Sequence, residues 1–364
     1  MAGGTAFLVL LALWSVNLLA SVILDVQKEV ARRFLPSDSR VALPNYPDKA
    51  RAKQILGEFK QLQTRFVPFV DWTREPFRGQ TTTIDATGQR VHPDTTARPV
   101  GTVRFFGGST MWGSGVADDE TIPAAFNQLH PDYRVHNHGE SGYTSRQSLD
   151  ALINQVNQNA PMDLVVFYDG NNDVGTFCWP WVGINSHTQA AKIQRLVRPR
   201  SYVLADLTGS IEEIARGKLF SRLFAPEDPF QTLCHTDPAH ARRVAETMIN
   251  DWKIARATAA VGGADFLAVL QPVASIGAPR TDHLSDDERS PHTAQNVVYP
   301  IIRELMGREG ADWIVDFSRV FDGDEYIFID ECHVTENGNR RIAERLDAVA
   351  GPLLRRRRDA VGGS

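Results

Sequence analysis

From residue 100 onward the chain alternates between two patterns. Short β-prone runs recur at residues 102–106, 134–137, 164–168, 266–270 and 313–317, most of them largely apolar. Longer amphipathic stretches lie between and after them, such as 145–157, 239–260 and 336–350. Apolar runs of this length, without polar alternation, predict strands buried on both faces, and the amphipathic stretches predict crossover helices. The expected core is a parallel sheet with helices packed on either side. Ligands collect at the carboxyl ends of the strands in such sheets, so the loops after the runs are where chemistry is expected.

The amino end follows another pattern. Residues 6–24 read AFLVLLALWSVNLLASVIL, with Ser15, Asn17 and Ser21 as the polar interruptions and no charge. About 20 such residues cross a hydrocarbon core as a helix. The leader MAGGT has no basic side chain and no clear small-x-small cleavage site follows, which favours an uncleaved anchor over a signal peptide. Residues 1–24 are therefore expected to form a transmembrane anchor. Residues 25–98 are expected to form a stalk, helical to about residue 60 with a break at 43–47, and a small β-hairpin extension with a turn at Asp85-Ala86-Thr87-Gly88. The main domain is expected over 99–354, interrupted by an insertion at 174–238, and 355–364 form a basic tail.

Charge and cysteine content narrow the function classes. The 364 residues carry 39 Lys+Arg against 44 Asp+Glu, a net charge of −5, which argues against a nucleic-acid partner. Three cysteines without CxxC spacing exclude a disulfide scaffold and a structural zinc site. Cys178 and Cys234 flank the insertion; a bridge between them would suit an oxidising compartment, and two separate thiols are equally open at this point.

Four loops carry candidate chemistry. After the first run comes Gly107-Gly108-Ser109, where a serine between glycines at a strand-to-helix turn either exposes a nucleophilic hydroxyl or only caps a helix. After the second comes Gly139-Glu140-Ser141-Gly142, whose glycines let a backbone N–H face the cleft. After the third comes Gly170-Asn171-Asn172-Asp173, where an Asn amide either donates to a developing oxyanion or merely forms a turn. Near the carboxyl end, Asp330 and His333 are three apart before a helix, so the carboxylate can hold the imidazole tautomer and leave the other ring nitrogen as a base. Cys332 beside His333 invites a cysteine-nucleophile reading, against which stands its ordinary use as a small buried hydrophobe.

In this order, these loops resemble the blocks of the SGNH, or GDSL-like, hydrolases, of membrane-anchored bacterial type. Gly108 stands where the family's name motif has Asp. The resemblance implies a three-layer α/β/α, flavodoxin-like parallel sheet. It implies Ser109 as nucleophile, His333 as base and Asp330 as its orienting carboxylate, with the oxyanion held by the Ser109 N–H, the Gly142 N–H and the Asn172 amide. No metal or organic cofactor is implied.

The resemblance further implies an ester hydrolase acting on an acyl ester, with O-acetyl groups of a glycan or envelope polysaccharide as the substrate class. The alternatives are an O-acyltransferase using the same serine and a non-catalytic glycan-binding protein. Phe177, Trp179 and Trp181 follow the third block and either stack on a sugar or pack the insertion. Lys28, Arg32 and Arg33 after the span, and the tail Arg355–Arg358, lean towards a cytoplasmic domain, although the tail reads equally as a solvated terminus. The substrate class outweighs them, and the catalytic domain is expected outside the membrane.

Overall fold

The uncharged amino-terminal stretch lies in a long helix, α1 (Ala2–Phe34), in the computed structural model, which describes residues 2–34, 38–93, 95–190, 193, 231–310 and 312–362. Leu11, Trp14, Leu18 and Val22 stand exposed along it. Among the described residues no helix is long and apolar enough to cross a membrane. The expected span is not supported there: side chains of α1 are described from Leu11 to Gln27, fewer than the ~20 residues a crossing takes. The helix belongs to a unit of residues 1–36 and 186–231, while residues 37–185 and 232–364 form a second unit.

This second unit begins with a 3-10 turn, Ser39–Ala42, capped by Asp38. Next comes α2 (Lys49–Phe59), whose N-cap Asp48 accepts the Ala50 and Arg51 N–H groups. Two short antiparallel pairs follow, β1 (Thr64–Val67) with β2 (Asp71–Arg74) and β3 (Phe77–Arg78) with β4 (Thr83–Ile84). At the expected turn, Asp85 Oδ1 accepts from the Thr87 and Gln89 N–H groups and Gly88 takes φ +92°, a conformation that favours glycine.

The core elements then run in order: β5 (Gly101–Gly107), α3 (Ser109–Trp112), α4 (Ile122–Leu129), β6 (Tyr133–Asn137), α5 (Ser145–Asn157), β7 (Leu164–Asp169) and α6 (Asn171–Phe177). After the insertion come α7 (Leu233–Thr236), α8 (Pro238–Val261), β8 (Asp265–Leu270), α9 (Ala294–Glu309), β9 (Ile314–Asp316) and α10 (Glu336–Gly362). Most of the insertion expected at 174–238 lies outside the described residues. Cys178 and Cys234 are joined by a disulfide with a Cα–Cα distance of 5.2 Å, and both are buried.

The strands β5 to β9 pair in parallel in the order β6-β5-β7-β8-β9. Numbered by appearance this is 2-1-3-4-5, the flavodoxin-like order. Successive strand residues point to opposite faces, and both faces are covered, which explains the nearly unbroken apolar runs of β7 and β8. Val103, Phe105, Leu164, Val166, Leu267 and Val269 face Ile122 and Phe126 of α4 and Ile342 and Leu346 of α10. Their neighbours Phe106, Val165, Phe167, Phe266 and Ala268 face Leu152 of α5, Trp252 of α8 and Val298 of α9. Each of the buried Val, Leu, Ile and Phe side chains contributes roughly 1.5–3 kcal/mol. The last strand, β9, is shorter than the run expected at 313–317 and pairs with β8 at the sheet edge.

Candidate active site

Glycines open the loop after β5. Gly107 has φ +155°, and a Cβ there would lie 2.5 Å from the Tyr168 carbonyl oxygen, so no larger residue fits beside β7. Gly108 is the N-cap of α3 and Ser109 its first residue. The Ser109 N–H therefore has no partner within the helix. Its hydroxyl, half-buried, lies 2.7 Å from His333 Nε2.

His333 and Asp330 come together through a narrow backbone turn. The Ile329 N–H donates to the His333 carbonyl, the Thr335 N–H to the Ile327 carbonyl, and Phe328 bridges Val334. At the tip, Asp330 Oδ1 accepts the backbone N–H groups of Cys332 at 3.1 Å and His333 at 2.8 Å. Folding the carboxylate back on its own turn in this way brings its two oxygens within 2.8 and 2.9 Å of His333 Nδ1. The other ring nitrogen is left for Ser109.

Opposed effects set the charges. Burial disfavours the Asp330 carboxylate, but the charge and hydrogen bonds of His333 and the two backbone donors outweigh it and hold Asp330 well below the usual carboxylate range. Burial lowers the His333 pKa, and the Asp330 charge and hydrogen bond overcome it, so the imidazole titrates above its ordinary value. A base in this setting is lost as pH falls through that raised value.

The other two sequence blocks meet at one backbone oxygen. Asn172, in the first turn of α6, donates Nδ2 to the Tyr143 carbonyl at 2.8 Å. One amide hydrogen is thereby fixed and the second remains to donate. A Cβ on residue 108 would lie 2.3 Å from Asn172 Nδ2 and 3.4 Å from the Tyr143 oxygen. A side chain at position 108 on this backbone would meet the Asn172 amide, which glycine avoids. Gly142, one residue before Tyr143, has φ +81°, again a glycine conformation. Ser109, Asn172, Asp330 and His333 are thus brought into one constellation, with Gly142 in the loop against it.

Sequence reasoning missed the residues that hold this loop. Arg74 of β2 is buried and donates to Glu140 Oε1 at 2.9 Å and to Ser141 Oγ at 2.7 Å. Its guanidinium lies over the rings of Phe59 and Trp112. Trp72 Nε1 donates to the Ser141 carbonyl at 3.1 Å, and the Tyr143 hydroxyl donates to the Trp72 carbonyl. The β-hairpin extension therefore clamps residues 140–143. Below Asn172, Ser145 Oγ lies 2.6 Å from Asp173 Oδ1 and 3.0 Å from Asp251 Oδ2. A hydroxyl has one proton, so it can donate to only one of them. Burial lifts Asp173 to about 7 and Asp251 to about 6, so protonation of one carboxyl satisfies the trio.

Cys332 does not compete for the nucleophile's place. Its Sγ is 3.7 Å from His333 Nδ1, the nitrogen that already faces Asp330, and burial pushes its thiol well up. Among the described residues, Asp330, Cys332 and His333 are the group whose donors lie close enough to hold a metal ion. Those same carboxylate and imidazole atoms are engaged with one another, which fits the group poorly to a metal.

No family model matches the chain, and no curated protein is similar to it. Solved structures show a distant likeness. A carbohydrate acetylesterase family member from Sinorhizobium meliloti is 17% identical, with 70% of this chain and 99% of that one covered and a TM-score of 0.36. A member of the lipolytic protein G-D-S-L family from Veillonella parvula is 12% identical over 67% of this chain and 94% of its own, with a TM-score of 0.38. The native aryl esterase of M. smegmatis is 15% identical over 69% and 100%, with a TM-score of 0.39.

Proposed function

We propose that this chain is a serine ester hydrolase of the SGNH kind. The observation that carries the reading is the unbroken line from Asp330 through His333 to Ser109, at 2.8 and 2.7 Å. In this reading His333 takes the Ser109 proton as Oγ attacks an ester carbonyl. Asp330 stabilises the imidazolium, and His333 returns the proton to the departing alcohol. Water then attacks the acyl-enzyme by the same route. The Ser109 N–H, the Gly142 N–H and the free amide hydrogen of Asn172 receive the oxyanion. A fluorophosphonate should attach to Ser109 and to nothing in Ser109→Ala, as read by peptide mapping. A folded protein that takes no label would overturn the proposal.

Asn172 makes a graded prediction. Asn172→Ala removes one oxyanion donor, worth ~2.7–4 kcal/mol in the transition state, so kcat should fall by on the order of 10²–10³ with KM nearly unchanged. Steady-state kinetics on a chromogenic acetyl ester would show it. A raised KM with kcat intact would remove Asn172 from the oxyanion hole.

For substrate, the reading extends to O-acetyl groups on a glycan. Trp179 and Trp181 stack at 4.7 Å just beyond α6, and Trp181 is 71% exposed, an open aromatic face suited to a sugar ring. Added glycan acceptor should leave the acyl group going to water; its capture by the glycan would convert the assignment to a transferase.

The reading also keeps the amino-terminal anchor, with the catalytic unit outside the membrane. The uncharged stretch at 6–24, the exposed apolar side chains of α1 and the Cys178–Cys234 bridge support it. A topology reporter fused after Ser364 should be active outside the cytoplasm; activity confined to the cytoplasm would overturn this placement.

A further inference from the structure

We propose that Arg40 is a positioning residue of the triad: it holds Asp330 Oδ2 and limits how much of that carboxylate's charge reaches His333. The proposal rests on the reading of Ser109, His333 and Asp330 as catalytic.

Asp330 Oδ2 lies 2.9 Å from His333 Nδ1 and also accepts Arg40 Nη1 at 3.0 Å. The cation and the imidazole therefore share one oxygen. Arg40 is not a chance surface contact. Its Nε donates to Asp38 Oδ1 at 3.0 Å and its Nη2 to Asp38 Oδ2 at 3.2 Å, so a two-pronged pair fixes the plane of the guanidinium. The segment that carries it is strapped on both sides of the site. Asn45 donates to the Phe328 carbonyl at 2.7 Å, and the Tyr46 hydroxyl to the Gly115 carbonyl at 2.6 Å. Tyr46 and Ala52 form a small core with Ile329, the residue before Asp330, and Val41 and Leu43 pack against it.

The charges around the triad leave Arg40 a distinct part. Glu331, next to Asp330, favours a protonated His333, and Glu288 acts on Glu331 in turn. Glu120 lies near Tyr46, and Lys60 reaches Asp38 at 3.6 Å. Among these groups Arg40 is the cation that opposes protonation of His333 directly. Without it the full Asp330 charge would act on the imidazole, and His333 would stay protonated, and useless as a base, to higher pH.

The test is the rate of fluorophosphonate labelling of Ser109 against pH, on the full chain in detergent. Arg40→Met should move the acid limb up by about 0.5–1 unit. Arg40→Lys keeps the charge and should restore most of the wild-type limb. Asp38→Asn leaves Arg40 without its main counter-charge and should move the limb the other way, downward. General damage to the fold lowers the rate at every pH without opposite displacements. If Arg40→Met does not fold, the Asp38→Asn profile decides. An Arg40→Met or Asp38→Asn limb that coincides with wild type, in a variant whose Ser109 still labels, would overturn the role of Arg40 and leave the triad standing. A wild-type protein that never labels would remove the triad reading itself.

Discussion

Ser109→Ala should abolish turnover, lowering kcat by on the order of 10⁵–10⁶. The Ser109 hydroxyl is the nucleophile of the proposed reaction and lies 2.7 Å from His333 Nε2, the ring nitrogen that does not face Asp330. Alanine keeps the backbone N–H and fits the first turn of α3, so the oxyanion donors survive. A residual rate of about 10³–10⁴ over water is therefore expected, and it should also remain in His333→Ala. The double variant should be no slower than either single one, because an uncoupled serine and an uncoupled histidine each leave the other idle. Removing a half-buried hydroxyl should change stability by about 1 kcal/mol or less, read from thermal unfolding. A Ser109→Ala enzyme with more than about a hundredth of wild-type kcat would place the nucleophile elsewhere.

What was legible in the sequence follows from how local each determinant is. The central strands β7 and β8 could be read because burial on both faces makes them nearly unbroken apolar runs; β6, at an edge, alternates buried and half-buried positions and carries Arg134 and His136. Ser109, Gly142 and Asn172 could be read because each lies just beyond a strand end, where chain direction alone delivers it to one edge of the sheet. Asp330 and His333 are three residues apart, and a single turn joins them. The remaining partners are separated too widely for any pattern. Arg40 meets Asp330 across 290 positions, and in the sequence it is one more charge in a polar stalk. Arg74 and Glu140 are 66 apart, and neither carries a mark of burial. The pairing of Cys178 with Cys234 stayed open for the same reason. Gly108 shows the converse: the residue is plain in the sequence, but the Asn172 amide, 2.3 Å from where a Cβ would stand, meets it only in the folded chain.

Asp330→Asn should cost about 10⁴ in kcat, nearly as much as losing the base itself, although the substitution changes only one carboxylate oxygen to an amide nitrogen. Asn keeps an oxygen to accept the Cys332 and His333 backbone N–H groups, so the turn should survive. What it cannot do is stabilise the imidazolium. If its NH₂ faces the ring, it also forces the wrong tautomer, with the proton on Nε2 directed at Ser109. The sign of the accompanying pH change is set by the two opposed effects on His333. The Asp330 charge now raises its pKa against the pull of burial. With that charge gone, burial and Arg40 act together, and the acid limb of the residual activity should move down, below the ordinary histidine value of ~6.5. The rate and the limb thus change in a combination that simple unfolding does not produce. A pH series of kcat/KM on Asp330→Asn checks both. A limb that stays in place, or moves up, would mean that Asp330 does not control His333 and that the short contact between them has no part in activating the serine.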